Sequence, residues 1–148
     1  MRNVALCALI GFACAGAAQA NPTQDAATRF GLPGTWALNC AKPPAPDNEY
    51  AHWTLAPGGK ISQAYDDGPT DLKNRYRWDT ARLLGSDTIV LDGVFFGNGL
   101  GQHVEILKRD GRIRPQNSSD SSGRKLVVDG AFPSGGGPSW FTRCGSGR

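Results

Sequence analysis

The side chains that most often perform catalysis are scarce in this chain. Its only imidazoles are His52 and His103. The motifs G-x-S-x-G, H-E-x-x-H and C-x-x-C do not occur, and neither does a phosphate-binding P-loop. No nucleophile is therefore paired with a base by a familiar spacing, and we expect a protein that is not an enzyme.

Two groups of polar residues have the donor types of a metal site. His103 and Glu105 share one face of a predicted strand, but that face is expected to look outward into solvent. Asp66, Asp67 and Asp71 offer carboxylate oxygens, but their spacing differs from that of an EF-hand loop, and Asp-Asp-Gly is typical of turns. We predict no metal site and no cofactor.

Aromatic side chains are the stronger candidates for binding. Six of them lie on predicted strands where side chains alternate between two faces. If the strands enclose an interior, these rings suit a small apolar or aromatic ligand, oriented by indole N–H and phenol O–H donors. Alternatively, they simply fill the core. The candidate ligand-binding residues are Trp36, Trp53, Tyr65, Tyr76, Trp78 and Trp140.

The first 20 residues have the pattern of a secretory signal peptide. Arg2 supplies a positive start, and residues 4–15 form an apolar stretch too short for a permanent membrane span. Ala18-Gln19-Ala20 matches the small-residue cleavage pattern. We expect cleavage after Ala20 and a periplasmic or secreted protein.

Cleavage also changes the cysteine and charge counts. Cys7 and Cys14 leave with the signal, so Cys40 and Cys144 remain and are expected to form one disulfide. The precursor has a formal net charge of +3, which the loss of Arg2 reduces by one. The sequence has no basic stripe interleaved with aromatic residues, so this small excess of positive charge does not indicate a nucleic-acid partner.

The remaining chain is expected to form one all-β domain. Its 20 glycines and 10 prolines favour many short strands over a helical bundle. Residues 21–33 form a lead-in with one helical turn over 25–30, capped by Thr23. Residues 34–144 form the domain, and 145–148 a flexible tail. Strands are predicted over residues 35–40, 49–55, 60–65, 74–80, 88–96, 102–109, 112–116, 125–128 and 139–144.

Sequential hairpins favour an up-and-down antiparallel barrel of eight or nine strands, since closure removes exposed edges. The strand over 88–96 is apolar on both faces and should be the most buried. Asp110-Gly111 predicts a type I′ turn that pairs Arg109 with Arg112 and Ile106 with Pro115. A Cys40–Cys144 disulfide would bring the first strand to the last.

The start of this domain resembles a known superfamily. Gly34-Thr35-Trp36 is similar to the G-x-W signature of calycins, which include lipocalins, fatty-acid-binding proteins and avidins. The resemblance implies that Trp36 closes one barrel end and that Arg143, on the last strand, packs across it. A regular strand through Cys40 conflicts with this contact, because it turns Arg143 away from Trp36. Either the contact or the regular register must be wrong.

These features lead to three candidate functions. The first is an exported calycin-like protein that binds a small hydrophobic or aromatic ligand. The chain also resembles small exported bacterial proteins of unknown function. The second candidate is a protease inhibitor, because some periplasmic protease inhibitors share the size and G-x-W motif of this chain. By that resemblance, Asn21-Pro22-Thr23 at the mature N-terminus would enter the protease site. The third candidate is a structural protein of the cell envelope.

Overall fold

A computed structural model describes residues 21–68 and 73–145. The predicted signal peptide and residues 146–148 of the predicted tail lie outside the described residues. The described chain contains one α-helix, α1 (Pro22–Phe30), a 3₁₀ turn (Pro57–Gly59) and nine strands. The strands are β1 (Gly34–Ala37), β2 (Tyr50–Ala56), β3 (Lys60–Asp66), β4 (Lys73–Leu84), β5 (Thr88–Phe95), β6 (Gly101–Arg109), β7 (Arg112–Asp120), β8 (Lys125–Val127) and β9 (Phe141–Arg143).

Eight of the strands close into an antiparallel barrel. β1 to β7 pair in chain order, and β9 lies between β7 and β1. The ninth strand, β8, pairs with the far end of β7, at Ser118 and Ser119, and stands outside the closed ring. The prediction of an all-β up-and-down barrel is therefore confirmed.

The hairpin of β6 and β7 has the predicted register. Arg109 pairs with Arg112, and Ile106 with Pro115. Asp110 and Gly111 have φ values of 51° and 71°, the left-handed conformation that a type I′ turn needs at both central positions. β7 is longer than predicted, because a bulge after Pro115 lets it continue along β6 to Asp120.

The barrel interior is built by alternation along each strand. Trp53, Ile61, Trp78 and Ile106 are buried on the inner face. β5 contains three consecutive fully buried residues, Ile89, Val90 and Leu91, as its apolar sequence predicts. The strand ends at Phe95, and Phe96 beyond it is exposed.

A glycine allows β4 and β5 to approach each other where the barrel wall bends. The register of the pair shifts between Trp78 and Thr80. A Cβ atom on Gly93 would overlap the backbone of Arg77 and Trp78. Only glycine fits at such a close approach of two backbones, which is typical of a bulge in a barrel.

The segment predicted as a lead-in closes one end of the barrel. Helix α1 spans Pro22–Phe30, longer than the single turn predicted. Its N-cap is Asn21, whose side chain accepts from two backbone amides of the first turn, so the prediction of Thr23 as the cap is wrong. Proline in the first turn favours this start, because its missing N–H needs no partner there. Ala27 and Phe30 are buried against the strands.

Side-chain hydrogen bonds fasten α1 to the strand ends beneath it. The amide of Gln24 donates to the carbonyl oxygens of Ala56 and Lys60, at 2.8 and 3.0 Å. At the other end of the helix, Lys108 Nζ donates to the Phe30 carbonyl at 2.6 Å and lies 4.5 Å from the centre of its ring. A cation at a helix C-terminus also interacts favourably with the helix dipole.

The predicted Cys40–Cys144 disulfide is present and joins the turn after β1 to the chain after β9. Strand β1, however, ends at Ala37 rather than at Cys40. Beyond it, the buried side chain of Asn48 donates to the carbonyls of Asn39, Lys42 and Pro43, and accepts from the Asn39 amide. These bonds replace sheet pairing, so Cys40 lies in a turn and does not share a strand face with Trp36.

This early end of β1 resolves the conflict between Arg143 and Trp36. The two residues are direct partners across β1 and β9, and directly opposed side chains share a face. The guanidinium carbon of Arg143 lies 5.9 Å from the centre of the Trp36 ring, and its Nη2 atom donates to the Pro33 carbonyl. Gly34, with a φ of 135°, leaves room for the guanidinium. The contact holds, and the assumption of a regular strand through Cys40 is wrong.

Candidate functional site

A cavity of about 110 Å³ lies inside the barrel. It extends towards Tyr65 and Gln102, at the strand ends remote from α1. Its wall is mostly apolar, and β2, β3, β4, β6, β7, β8 and β9 all contribute to it, β8 through Leu126. The strands of the closed ring are paired on both sides, so the side chains mainly determine the chemistry of the cavity.

Four of the six aromatic residues proposed from the sequence line this cavity. They are Trp53, Tyr65, Tyr76 and Trp78. Trp53 stacks on Trp78, and Trp78 on Tyr76, with ring centres 6.3 and 5.4 Å apart. Tyr65 contacts Tyr76 edge-on at 6.2 Å. The rings therefore form one continuous series along the wall.

Two further aromatic residues extend this series. Phe95 stacks on Tyr76 at 4.8 Å, and Phe141 contacts Tyr65 at 6.2 Å. Phe141 also lines the cavity. Sequence analysis selected the adjacent Trp140 instead of Phe141, because the local pattern does not decide which of these two neighbouring aromatic residues faces inward.

The register of β9 places the other two candidates away from the cavity. Trp36 is buried at the barrel end beneath Arg143, and its indole N–H donates to the Leu32 carbonyl at 2.9 Å. Trp140 precedes Phe141 and lies on the outer wall, where the guanidinium groups of Arg112 and Arg114 are 5.5 and 4.6 Å from its ring. The structure therefore does not bring Trp36 or Trp140 together with the four cavity-lining rings.

A buried glutamine is the main polar residue that sequence reasoning missed. Gln63 is 3% exposed and lines the cavity between its register partners Trp53 and Tyr76. Its Oε1 accepts the indole N–H of Trp78 at 3.0 Å. The alternation of Ile61, Gln63 and Tyr65 along β3 is the signal that could have placed this amide on the inner face.

The Trp53 indole contributes a donor without a partner. Its Nε1 atom is buried and makes no hydrogen bond among the described residues. Because an indole N–H can only donate, an acceptor is needed to satisfy it. A buried donor left unpaired destabilises the empty protein by about 1–3 kcal/mol.

Burial changes the pKa values of three ionisable side chains at the open end of the barrel. Burial raises the pKa of the Tyr65 phenol strongly and that of Tyr76 to a smaller extent, so both hydroxyls stay protonated at neutral pH. Burial also raises the pKa of the nearby Glu49 carboxyl, with a further contribution from the charge of Asp67. The cavity therefore presents neutral polar groups within an aromatic wall.

His103 and Glu105 lie on the outer face of the barrel. His103 Nδ1 is 2.7 Å from an Asp92 oxygen, while Nε2 is 4.0 Å from Glu105. The amide of Asn117 donates to the other Glu105 oxygen at 2.6 Å. Across the described residues, no group of three or more His, Cys, Asp or Glu side chains is placed to hold a metal ion.

Comparisons with protein-family models, with curated proteins and with solved structures gave no match. Within residues 21–68 and 73–145, no helix has the length and apolar character needed to cross a membrane. The barrel, its cavity and the disulfide are therefore the observations from which function is inferred.

Proposed function

We propose that this protein binds a small, mainly apolar or aromatic molecule inside its barrel. The observation that carries the proposal is the cavity of about 110 Å³ lined by Trp53, Tyr65, Tyr76 and Trp78. An apolar cavity of about 150 Å³ is known to accept benzene. The ligand is therefore a molecule of at most about one aromatic ring, smaller than the occupants of typical binding pockets.

The alternative, that the aromatic side chains only fill the core, applies to part of the molecule. Around Trp36 the interior is filled by Phe30 and Leu32, which are almost completely buried. The other half of the barrel retains space between its rings and has the unpartnered Trp53 donor in its wall. A ligand there adds ring contacts that the empty protein lacks.

We also propose that the protein is exported and calycin-like. The Cys40–Cys144 disulfide supports an oxidising compartment, since such bonds are rare in reducing ones. The stacking of Arg143 on Trp36 supports the resemblance to calycins, in which these positions make the same contact. Export rests mainly on the signal pattern of residues 1–20.

The protease-inhibitor function has less support from the geometry. It requires Asn21-Pro22-Thr23 to enter a protease site. Asn21 caps α1, and Thr23 is buried with its hydroxyl directed to the Asp79 carbonyl at 3.4 Å. Insertion into a protease would require these residues to leave the helix. The inhibitor and envelope-protein functions remain predictions from the sequence.

The test is a titration of ¹⁵N-labelled protein with benzene, followed through the four indole N–H signals. We expect the signals of Trp53 and Trp78 to shift and to saturate, because their rings line the cavity. The Trp140 signal, on the outer wall, should not move and serves as an internal control. Unchanged Trp53 and Trp78 signals at the solubility limit of benzene would show that the interior binds no ligand of this size and would favour a function of the outer surface.

A further inference from the structure

The polar groups in the cavity wall select a particular class of ligand. We infer that the ligand is a neutral, single-ring aromatic compound whose polar atom is a carbonyl-type hydrogen-bond acceptor. The inference rests on the proposed binding of a small molecule in the barrel. It goes further because it assigns the Trp53 indole and the Gln63 amide as the specificity-determining donors.

The first supporting observation is the state of the Trp53 side chain. This residue is 3% exposed, and its indole N–H has no acceptor among the described residues. Nearly all buried donors in folded proteins are paired, so an unpaired one indicates a missing partner. A ligand that offers only N–H or O–H donors leaves Trp53 unsatisfied, whereas a carbonyl oxygen can satisfy it.

The second observation is the orientation of Gln63. Because the Trp78 indole can only donate, its hydrogen bond fixes the amide oxygen of Gln63 towards Trp78. The amide nitrogen is then turned away from Trp78. A side-chain hydrogen bond from Gln63 already acts on the Tyr65 hydroxyl, and because an amide nitrogen carries two N–H groups, one donor is left for another partner. Trp53 and Gln63 are direct partners on β2 and β3, so both donors belong to the same patch of the wall.

The surroundings indicate that the ligand is uncharged. Arg114 contributes to the wall, but it alternates along β7 with the buried Ile113, so its guanidinium lies on the outer face of the barrel over Trp140, where its Nε is buried without a partner among the described residues. Among the side chains that the structure describes, neither lysine nor histidine lines the cavity. A carboxylate buried beside the indoles would therefore lack a cation to offset its desolvation, which is costly. The volume of about 110 Å³ limits the ligand to about one ring.

The experiment compares acetophenone with ethylbenzene, which has a similar shape but no acceptor, and with benzoate, which is charged. Dissociation constants are obtained from the indole N–H signals. We expect acetophenone to bind more tightly than ethylbenzene and to shift the Trp53 N–H proton downfield, as a new hydrogen bond does. Ethylbenzene has no acceptor, so its binding should not move the Trp53 N–H proton downfield. Benzoate should bind most weakly of the three compounds.

A matched pair of variants tests the assignment of Trp53. Trp53→Phe removes the donor and keeps an aromatic ring, and we expect the preference for acetophenone over ethylbenzene to fall about tenfold. Trp140→Phe makes the same change on the outer wall and should retain the preference. If Trp53→Phe does not fold, the ligand comparison and the downfield shift in the unaltered protein still decide the question.

The outcomes separate this inference from the proposed function. If ethylbenzene binds as tightly as acetophenone, or if Trp53→Phe keeps the preference, the cavity binds ligands but the assignment of the donors is wrong. Tightest binding of benzoate would contradict the neutral class. If none of the three compounds nor benzene binds, both the inference and the proposed function are overturned.

Discussion

Asp120 shows how a single side chain organises a connection at the open end of the barrel. It ends β7 and is buried. Its carboxylate accepts from the backbone amides of Ser122 and Arg124, at 3.0 and 3.2 Å, and from Arg124 Nε at 3.0 Å. A hydrogen bond from the Ser122 hydroxyl, supported by these backbone and Arg124 hydrogen bonds, holds the pKa of Asp120 below its usual range. The charged form therefore stabilises the turn that leads to β8.

Asp120→Asn should make the protein less stable in a pH-dependent manner. Because the folded pKa of Asp120 is lowered, its stabilising contribution is fully present above the unfolded value of about 3.9 and is lost as the pH falls through the folded value. We expect the difference in free energy of unfolding between the two proteins to be largest above pH 4 and to shrink in more acidic solution. Urea denaturation at a series of pH values measures it.

Asp110→Asn is the matched control for that experiment. Asp110 occupies the type I′ turn with positive φ, where asparagine is equally well accepted. Its substitution should leave the pH dependence of stability unchanged. A constant difference between Asp120→Asn and the unaltered protein across this pH range would contradict the role assigned to the Asp120 charge.

At the scale of elements, helix α1 is part of the core. Phe30 and Leu32 are almost fully buried, and the helix packs on β3, β4 and β5. The helix has only nine residues, which is too short to be stable alone in water. Its stability therefore comes from the Asn21 cap and from the apolar face that it buries on the barrel.

Phe30→Ala should destabilise the whole barrel rather than the helix alone. Truncation of a buried phenylalanine typically costs about 3–5 kcal/mol, because it removes apolar contacts and leaves a cavity. Phe96→Ala removes the same atoms from a ring that is 55% exposed, and should change stability by less than about 0.5 kcal/mol. Thermal and urea unfolding monitored by tryptophan fluorescence compare the two. Equal losses would contradict the role of Phe30 as a core residue.

At the scale of the whole molecule, the disulfide ties the turn after the first strand to the chain after the last strand. The disulfide joins residues separated by 104 positions, and the short strand β9 completes the ring between β7 and β1. β9 has only three residues, and its pairings with each neighbour are few. We therefore expect the covalent bond to be important for keeping the barrel closed.

Replacing both cysteines, as Cys40→Ser with Cys144→Ser, should lower the free energy of unfolding by up to about 4–5 kcal/mol, since the open chain gains entropy when unfolded. Chemical denaturation with and without a reducing agent measures the effect. Reductant should destabilise the unaltered protein and have no effect on the double variant. If reductant leaves the unaltered protein equally stable, closure does not depend on the disulfide.

Much of the architecture was predictable because it depends on local chemistry. Alternating apolar residues, glycine-rich turns and Asp110-Gly111 indicate antiparallel strands and even the register of β6 and β7, since a two-residue turn fixes its own pairing. Trp53, Tyr65, Tyr76 and Trp78 were selected for the same reason. Each lies on a strand whose alternation is evident from the residues on either side.

Other features depend on contacts between distant segments. Asn48 holds the turn that follows the early end of β1, and the pairing of Trp36 with Arg143 across β1 and β9 goes with Phe141 inside the barrel and Trp140 outside it. No local pattern around residue 140 contains that information, because a shift of one residue exchanges the two faces of a strand. The amino-acid pattern alone therefore specifies a barrel rich in aromatic side chains. The pairing of its first and last strands decides which of those side chains surround the cavity.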